Sequence, residues 1–151
     1  MNLQKELKFL KERIAELEEQ ANKGEHEFPR FDDPYWMIDD AGDLYESVYT
    51  IHRSDVYRNK VGNMYRTEEE AEFALEKAKV EGELRKLSRP FIWGEENWYL
   101  DMARGKNITI SYDHYIIHQG TVYFESKDRV KEAIEVVGEE RIKKYIFGVE
   151  D

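Results

Sequence analysis

Two histidines four residues apart, His114 and His118, form the first pair in this chain whose type and spacing suggest chemistry. A His-x-x-x-His pair meets at one metal ion only where a helix carries both rings on one face. The residues around them, Tyr112, Tyr115, Ile116 and Ile117, favour extended or loop backbone,. On an extended strand the two rings stand roughly 13 Å apart, so no metal site is expected. The other crowded place is segment 51–63, which gathers His52, Arg53, Ser54, Asp55, Tyr57, Arg58, Asn59 and Lys60 without a packing period. Guanidinium forks hold phosphate or carboxylate through paired bonds, so Arg53, Arg58, Lys60 and Arg66 are able to grip an anionic group. Asp55 and the arginines can equally pair with one another and tie down a long loop.

Carboxylates cluster at Glu68, Glu69, Glu70 and Glu72, and again at Glu139 and Glu140. At a helix start they offset the macrodipole, which explains them without general acid or base work. Spaced carboxylates also imitate a phosphate backbone for a basic channel, a use that the composition permits. The sequence holds no Walker loop, Gly-x-Gly-x-x-Gly, His-Glu-x-x-His, Gly-x-Ser-x-Gly or EF-hand loop,. It has no cysteine, which removes disulfides, thiolate metal sites and thiol nucleophiles together,. We expect a protein without enzymatic activity, with no catalytic residue, metal or cofactor.

The elements that must position these residues begin with Leu3, Leu7, Leu10, Ile14, Leu17 and Ala21, whose alternating spacings of four and three are the seam of a coiled coil,. With Leu7, Ile14 and Ala21 at a and Leu3, Leu10 and Leu17 at d, Glu6 and Arg13 fall at g and Lys11 and Glu18 at the e positions five residues on. Both pairs are oppositely charged in a parallel, in-register dimer. Packing of this helix on its own domain is the alternative. Residues 24–34 break any period with two prolines and scattered acids and read as a linker, with Phe28 and Phe31 able to anchor it,.

The rest reads as a degenerate tandem repeat. Trp36-Met37-Ile38-Asp39 corresponds to Trp98-Tyr99-Leu100-Asp101, each followed by turn residues and a second strand, 44–50 or 108–112,. An irregular loop, 51–63 or 113–120, leads to a short third strand, 64–66 or 122–124. A helix closes each copy, started by Thr67 with Glu70 as a capping box and by Ser126. Both tryptophans are expected to be largely buried on first strands. The first helix carries two apolar stripes, one of Ala71, Ala74, Leu75 and Ala78, the other of Phe73, Val80, Leu84 and Leu87. The second stripe needs a cover, which the N-terminal helix, a second protomer or a foreign partner would supply.

The expected architecture is α+β: an N-terminal coiled-coil-type helix (1–23), a linker (24–34), and a domain (35–151) of tandem β-β-β-α units with antiparallel sheets. Repeat one covers about 35–88, repeat two about 97–138, and a short helix with a tail follows at 139–151. With 33 acidic and 23 basic residues the formal charge is −10, which disfavours direct nucleic-acid binding and anionic membranes,. No signal peptide or membrane helix is expected, and a soluble protein of a reducing cytoplasm fits the missing cysteine.

Several segments together resemble a group of small, mostly uncharacterised accessory proteins of phages and prophages of Gram-positive bacteria. They are Trp36-x-Ile38, Asp55-x-x-Arg58, Gly62-Asn63-x-Tyr65-x-Thr67-x-Glu69-Glu70-Ala71-Glu72 and the closing Gly138-Glu139-Glu140-Arg141-Ile142-Lys143-Lys144-Tyr145. The likeness covers about residues 34–149, and its motifs are structural ones. It implies the cytoplasm of an infected or lysogenic bacterium and, by analogy, a protein that binds and inhibits a host defence protein such as a CRISPR nuclease. A phage assembly module, and a nucleotide or small-molecule binder, are the alternatives. Partner contacts are expected from Arg53, Asp55, Tyr57, Arg58, Lys60, Glu69 and Glu72. Homodimer contacts are expected from Leu3, Leu7, Leu10, Ile14 and Leu17.

Overall fold

A computed structural model describes residues 2–23, 27–103 and 106–150. The side chain of Ala21, residues 24–26 of the expected linker, and Arg104 and Gly105 in the second hairpin's turn lie outside the described residues. The fold is α+β. In chain order the elements are α1 (Leu3–Lys23), β1 (Pro34–Ile38), β2 (Leu44–Val48), α2 (Arg53–Lys60), α3 (Glu68–Leu87), β3 (Asn97–Ala103), β4 (Asn107–Asp113), α4 (Lys127–Val137) and α5 (Glu139–Tyr145). They fall into two compact units, Met1–Ala71 and Glu72–Asp151. Among the described residues no helix is long and apolar enough to cross a membrane.

In the first unit β1 and β2 form an antiparallel hairpin, with Pro34 opposite Val48 and Ile38 opposite Leu44. Asp39 makes its turn: one carboxylate oxygen accepts from the N–H groups of Ala41 (3.0 Å) and Asp43 (2.8 Å), an Asx turn, and Gly42 supplies the positive φ of +83°,. The expected third strand is a single bridge, in which Trp36 and Tyr65 exchange N–H···O bonds of 2.8 and 2.9 Å. Asn63 does what a longer strand would have done, since its side chain accepts from the Ile38 N–H (2.8 Å) and donates to the Ile38 carbonyl (2.7 Å). Segment 51–63 is not an irregular loop. Residues 53–60 are α2, whose start is fixed by His52 and Asp55 acting as a reciprocal capping box,.

In the second unit β3 and β4 pair antiparallel, from Asn97 opposite Asp113 to Ala103 opposite Asn107. Again the expected third strand is reduced to bridges, Phe124 with Trp98 and Tyr123 with Arg89. Ser126 caps α4 by accepting from the Arg129 N–H, and Gly138, at φ +103°, ends α4 and begins α5. The core gathers Val80 and Leu84 of α3, Phe124, Val130, Ala133 and Val137 of α4, and Ile142 of α5. Leu87 packs against that core, and the Phe73 ring lies 5.1 Å from that of Tyr145.

Of the α3 stripe, Val80 and Leu84 are thus buried by this unit's own residues and Leu87 packs against them, while Phe73 remains 40% exposed. Of the other stripe, Ala71 is buried in the first unit, whereas Ala78 is exposed. The tryptophans also differ from expectation. Trp36 and Trp98 are only half-buried, and the residues before them, Tyr35 and Asn97, are fully buried. Successive strand residues face opposite ways, and in both strands the inward position went to the hydrogen-bonding neighbour.

Candidate functional site

The seam of α1 is a row of leucines facing away from any described neighbour. Leu3, Leu7, Leu10, Ile14 and Leu17 are between 48% and 79% exposed, and Phe9 beside them is 67% exposed. Every α1 residue from 3 to 19 is exposed. The described residues of the first unit leave this helix uncovered. Arg13 pairs with Glu16 on the outer surface at 3.1 Å, an i to i+3 contact that leaves the seam bare,.

The other partner residues expected from the sequence lie on α2 and at the start of α3, and they divide into two groups. Asp55 is 3% exposed. One of its oxygens accepts from the Tyr35 hydroxyl (2.5 Å). The other accepts from the Thr50 N–H (3.0 Å), the Thr50 hydroxyl (3.2 Å) and the His52 N–H (3.3 Å). The Tyr35 bond, followed by those from Thr50 and His52, holds the Asp55 carboxyl below the usual carboxylate range against the opposing effect of burial,. Arg58 donates to the same tyrosine oxygen at 2.8 Å and stands 3.5 Å from Asp55. Asp55 is thus internal, with Arg58 half-buried beside it, and the expectation that Asp55 touches a partner is withdrawn: a carboxylate with four donors inside the fold has nothing left to offer outside it.

The remaining residues of that set do face outward. The Arg53 Nε donates to the Tyr57 hydroxyl at 3.1 Å, and the guanidinium sits 5.4 Å from the centre of the same ring. Lys60, Glu69 and Glu72 are exposed. Arg66 lies 5.2 Å from the ring centre of Phe28, which gives the linker one anchor, while Phe31 is 61% exposed. Glu70 serves the start of α3, but not as a closed capping box. Its N–H donates to the Thr67 hydroxyl (3.2 Å), while its carboxylate accepts from the Arg66 N–H (3.1 Å).

Two polar centres in the second unit were not foreseen from sequence. Asn97 spends its whole amide: its oxygen accepts from Arg89 (2.9 Å) and from the Ile92 N–H (2.8 Å), and its nitrogen donates to the carbonyls of Ile92, Glu95 and Asp113. It occupies the place before Trp98 that Tyr35 occupies before Trp36, which was the available signal. The other centre is Asp113, whose Oδ2 lies 2.6 Å from His118 Nε2. The adjacent His118 holds the Asp113 carboxyl below its ordinary range, and burial together with the bond to Asp113 pushes the Tyr99 hydroxyl up to about 12. His114 turns elsewhere, toward the rings of Tyr112 and Tyr115. Among the described residues no group of three or more His, Asp or Glu side chains is placed to hold a metal ion.

Comparison of the chain with protein families, with curated proteins and with solved structures finds no match.

Proposed function

We propose that this chain is a non-enzymatic phage or prophage protein that binds and inhibits a macromolecule of its bacterial host, a defence protein such as a CRISPR nuclease, and that it acts as a homodimer joined through α1. The observation that carries the proposal is the bare seam of α1. Most of a helix's stability in a protein comes from packing of its apolar face, and that face of α1 (21 residues) is uncovered in its own unit,. Burying a seam leucine contributes roughly 1.5–3 kcal/mol, so pairing supplies what the helix lacks alone. A second copy is the occupant that the charges favour, because Glu6 with Lys11 and Arg13 with Glu18 are complementary in a parallel pair,.

The phage setting rests on the resemblance of the Trp36, Asp55, Gly62 and Gly138 segments described above. The inhibitory role rests on that analogy and on a charge of −10, which suits a partner with a basic, nucleic-acid-binding channel,. Arg53, Tyr57, Lys60, Glu69 and Glu72 are the exposed contacts from the original set. We also read about 35–88 and about 97–138 as two degenerate copies of one unit with each third strand reduced to a bridge; the like placement of Tyr35 and Asn97, and of the bridges at Tyr65 and Phe124, supports that.

The test is a pull-down from host lysate with the full chain, beside Arg53→Glu/Lys60→Glu and Glu69→Lys/Glu72→Lys variants. Recovery of a defence nuclease by the wild type, reduced by either pair of charge reversals, supports the proposal. Phage structural proteins on the bait replace it with an assembly role. A co-purifying nucleotide replaces it with small-molecule binding.

A further inference from the structure

An exposed aromatic surface of the second unit lies on two turns, around Trp93 and Tyr115. Trp93 is 67% exposed and Tyr115 60% exposed, and their rings meet edge to face at 5.1 Å. Ile92 is also exposed, as are Tyr112 and, farther along the second turn, Ile116. Large side chains left in water at this density mark binding surfaces on soluble proteins.

The turn that carries Trp93 is held rigidly. The Asn97 amide bonds to Ile92 through both its N–H and its carbonyl, and to the Glu95 carbonyl. The Gly94 N–H donates to the His114 carbonyl at 2.9 Å, which ties the two turns together. Gly94 is at φ +87°, backbone that a side chain would strain,. A tryptophan presented on a fixed turn loses little entropy on binding, which is the character of an interface anchor.

The charges on these turns indicate what it meets. Glu95 is exposed, and Glu96 and Asp113 are the other carboxylates. Arg89 donates to Asn97 and to the Glu96 carbonyl and stands 3.7 Å from Glu95, and His118 bonds to Asp113, so three carboxylates stand beside one arginine here. Ring faces attract cations, and the rim is acidic, so the complementary surface is cationic. Sites for single-stranded nucleic acid combine stacked rings with a basic groove, which this rim lacks.

We propose that Trp93 and Tyr115 form a docking surface for an arginine-rich protein segment. The proposal deepens the reading of this chain as a binding protein and names a contact on its second unit. Nona-arginine peptide is the probe, titrated into the full chain at physiological salt and followed by calorimetry. Trp93→Ala/Tyr115→Ala leaves the net charge unchanged, so it separates the rings from bulk attraction to an acidic protein. The expected result is that this double variant binds at least about fivefold more weakly, that Trp93→Phe/Tyr115→Phe restores most of the affinity, and that Glu95→Gln weakens binding with the rings intact. Circular dichroism confirms that each variant folds. Equal binding by wild type and the alanine variant overturns the proposal, as does failure of wild type to bind. Tighter binding of an oligodeoxythymidine than of the peptide overturns it in favour of a nucleic-acid platform. Dimerisation through α1 is read separately by light scattering, so failure here and failure there are distinguishable.

Discussion

Asp55 shows how one residue type admits opposite uses until its neighbours are known. Within segment 51–63 its residue type suits both a partner contact and an inward ion pair, and the i to i+3 spacing to Arg58 is the visible hint of the second. Its decisive partner, Tyr35, is 20 residues away, and no local pattern announces a contact closed by the fold. Asp55→Asn keeps the shape but removes the charge that Tyr35, Thr50, His52 and Arg58 serve, and we expect it to lower unfolding free energy by about 1–3 kcal/mol in urea titrations. Tyr35→Phe should cost less, since it leaves Asp55 its Thr50 and His52 donors. The depressed Asp55 pKa sets a pH dependence as well. Because the folded chain keeps this carboxylate ionised where the unfolded chain already takes up a proton, its contribution is complete above the ordinary value of 3.8 and is lost as pH falls through the lower folded value,. Thermal melts through that acid range should show a smaller decline for Asp55→Asn than for wild type.

At the scale of elements, strongly periodic or well-capped segments were legible and the weakly patterned one was not. The heptads gave α1, the caps at Thr67 and Ser126 gave α3 and α4, and the alternating aromatic runs gave both hairpins. α2 escaped because its eight residues carry no apolar period and its cap is a histidine, a residue outside the usual capping set,. The third strands shrank to bridges, and in the first unit the Asn63 side chain took over pairing with Ile38. α3 offered two stripes, and only tertiary packing could choose between them: Val80 and Leu84 enter the core, while Ala78 stays in water. Leu84→Ala should therefore cost about 2–5 kcal/mol by chemical denaturation, and Ala78→Ser well under 1 kcal/mol.

For the whole molecule the acidic excess governs how partners arrive. A charge of −10 steers a cationic partner inward, so the association rate should fall as salt is raised, with most of the change as the screening length shrinks to about 10 Å near 0.1 M,. Stopped-flow mixing with an arginine-rich peptide measures it, and a rate indifferent to salt would contradict steering. Charge and composition were readable in full from the sequence. The aromatic surface around Trp93 was not, because exposure is decided by how the Asn97-pinned turn is set. The central claim, that the seam of α1 joins two chains, is tested most directly by multi-angle light scattering of the full-length protein at micromolar concentration, beside Leu10→Glu/Ile14→Glu. Wild type should have twice the 18.1 kDa mass of one chain, and the variant the mass of one chain with unchanged near-ultraviolet dichroism. A full-length protein that scatters as a single chain would contradict the account.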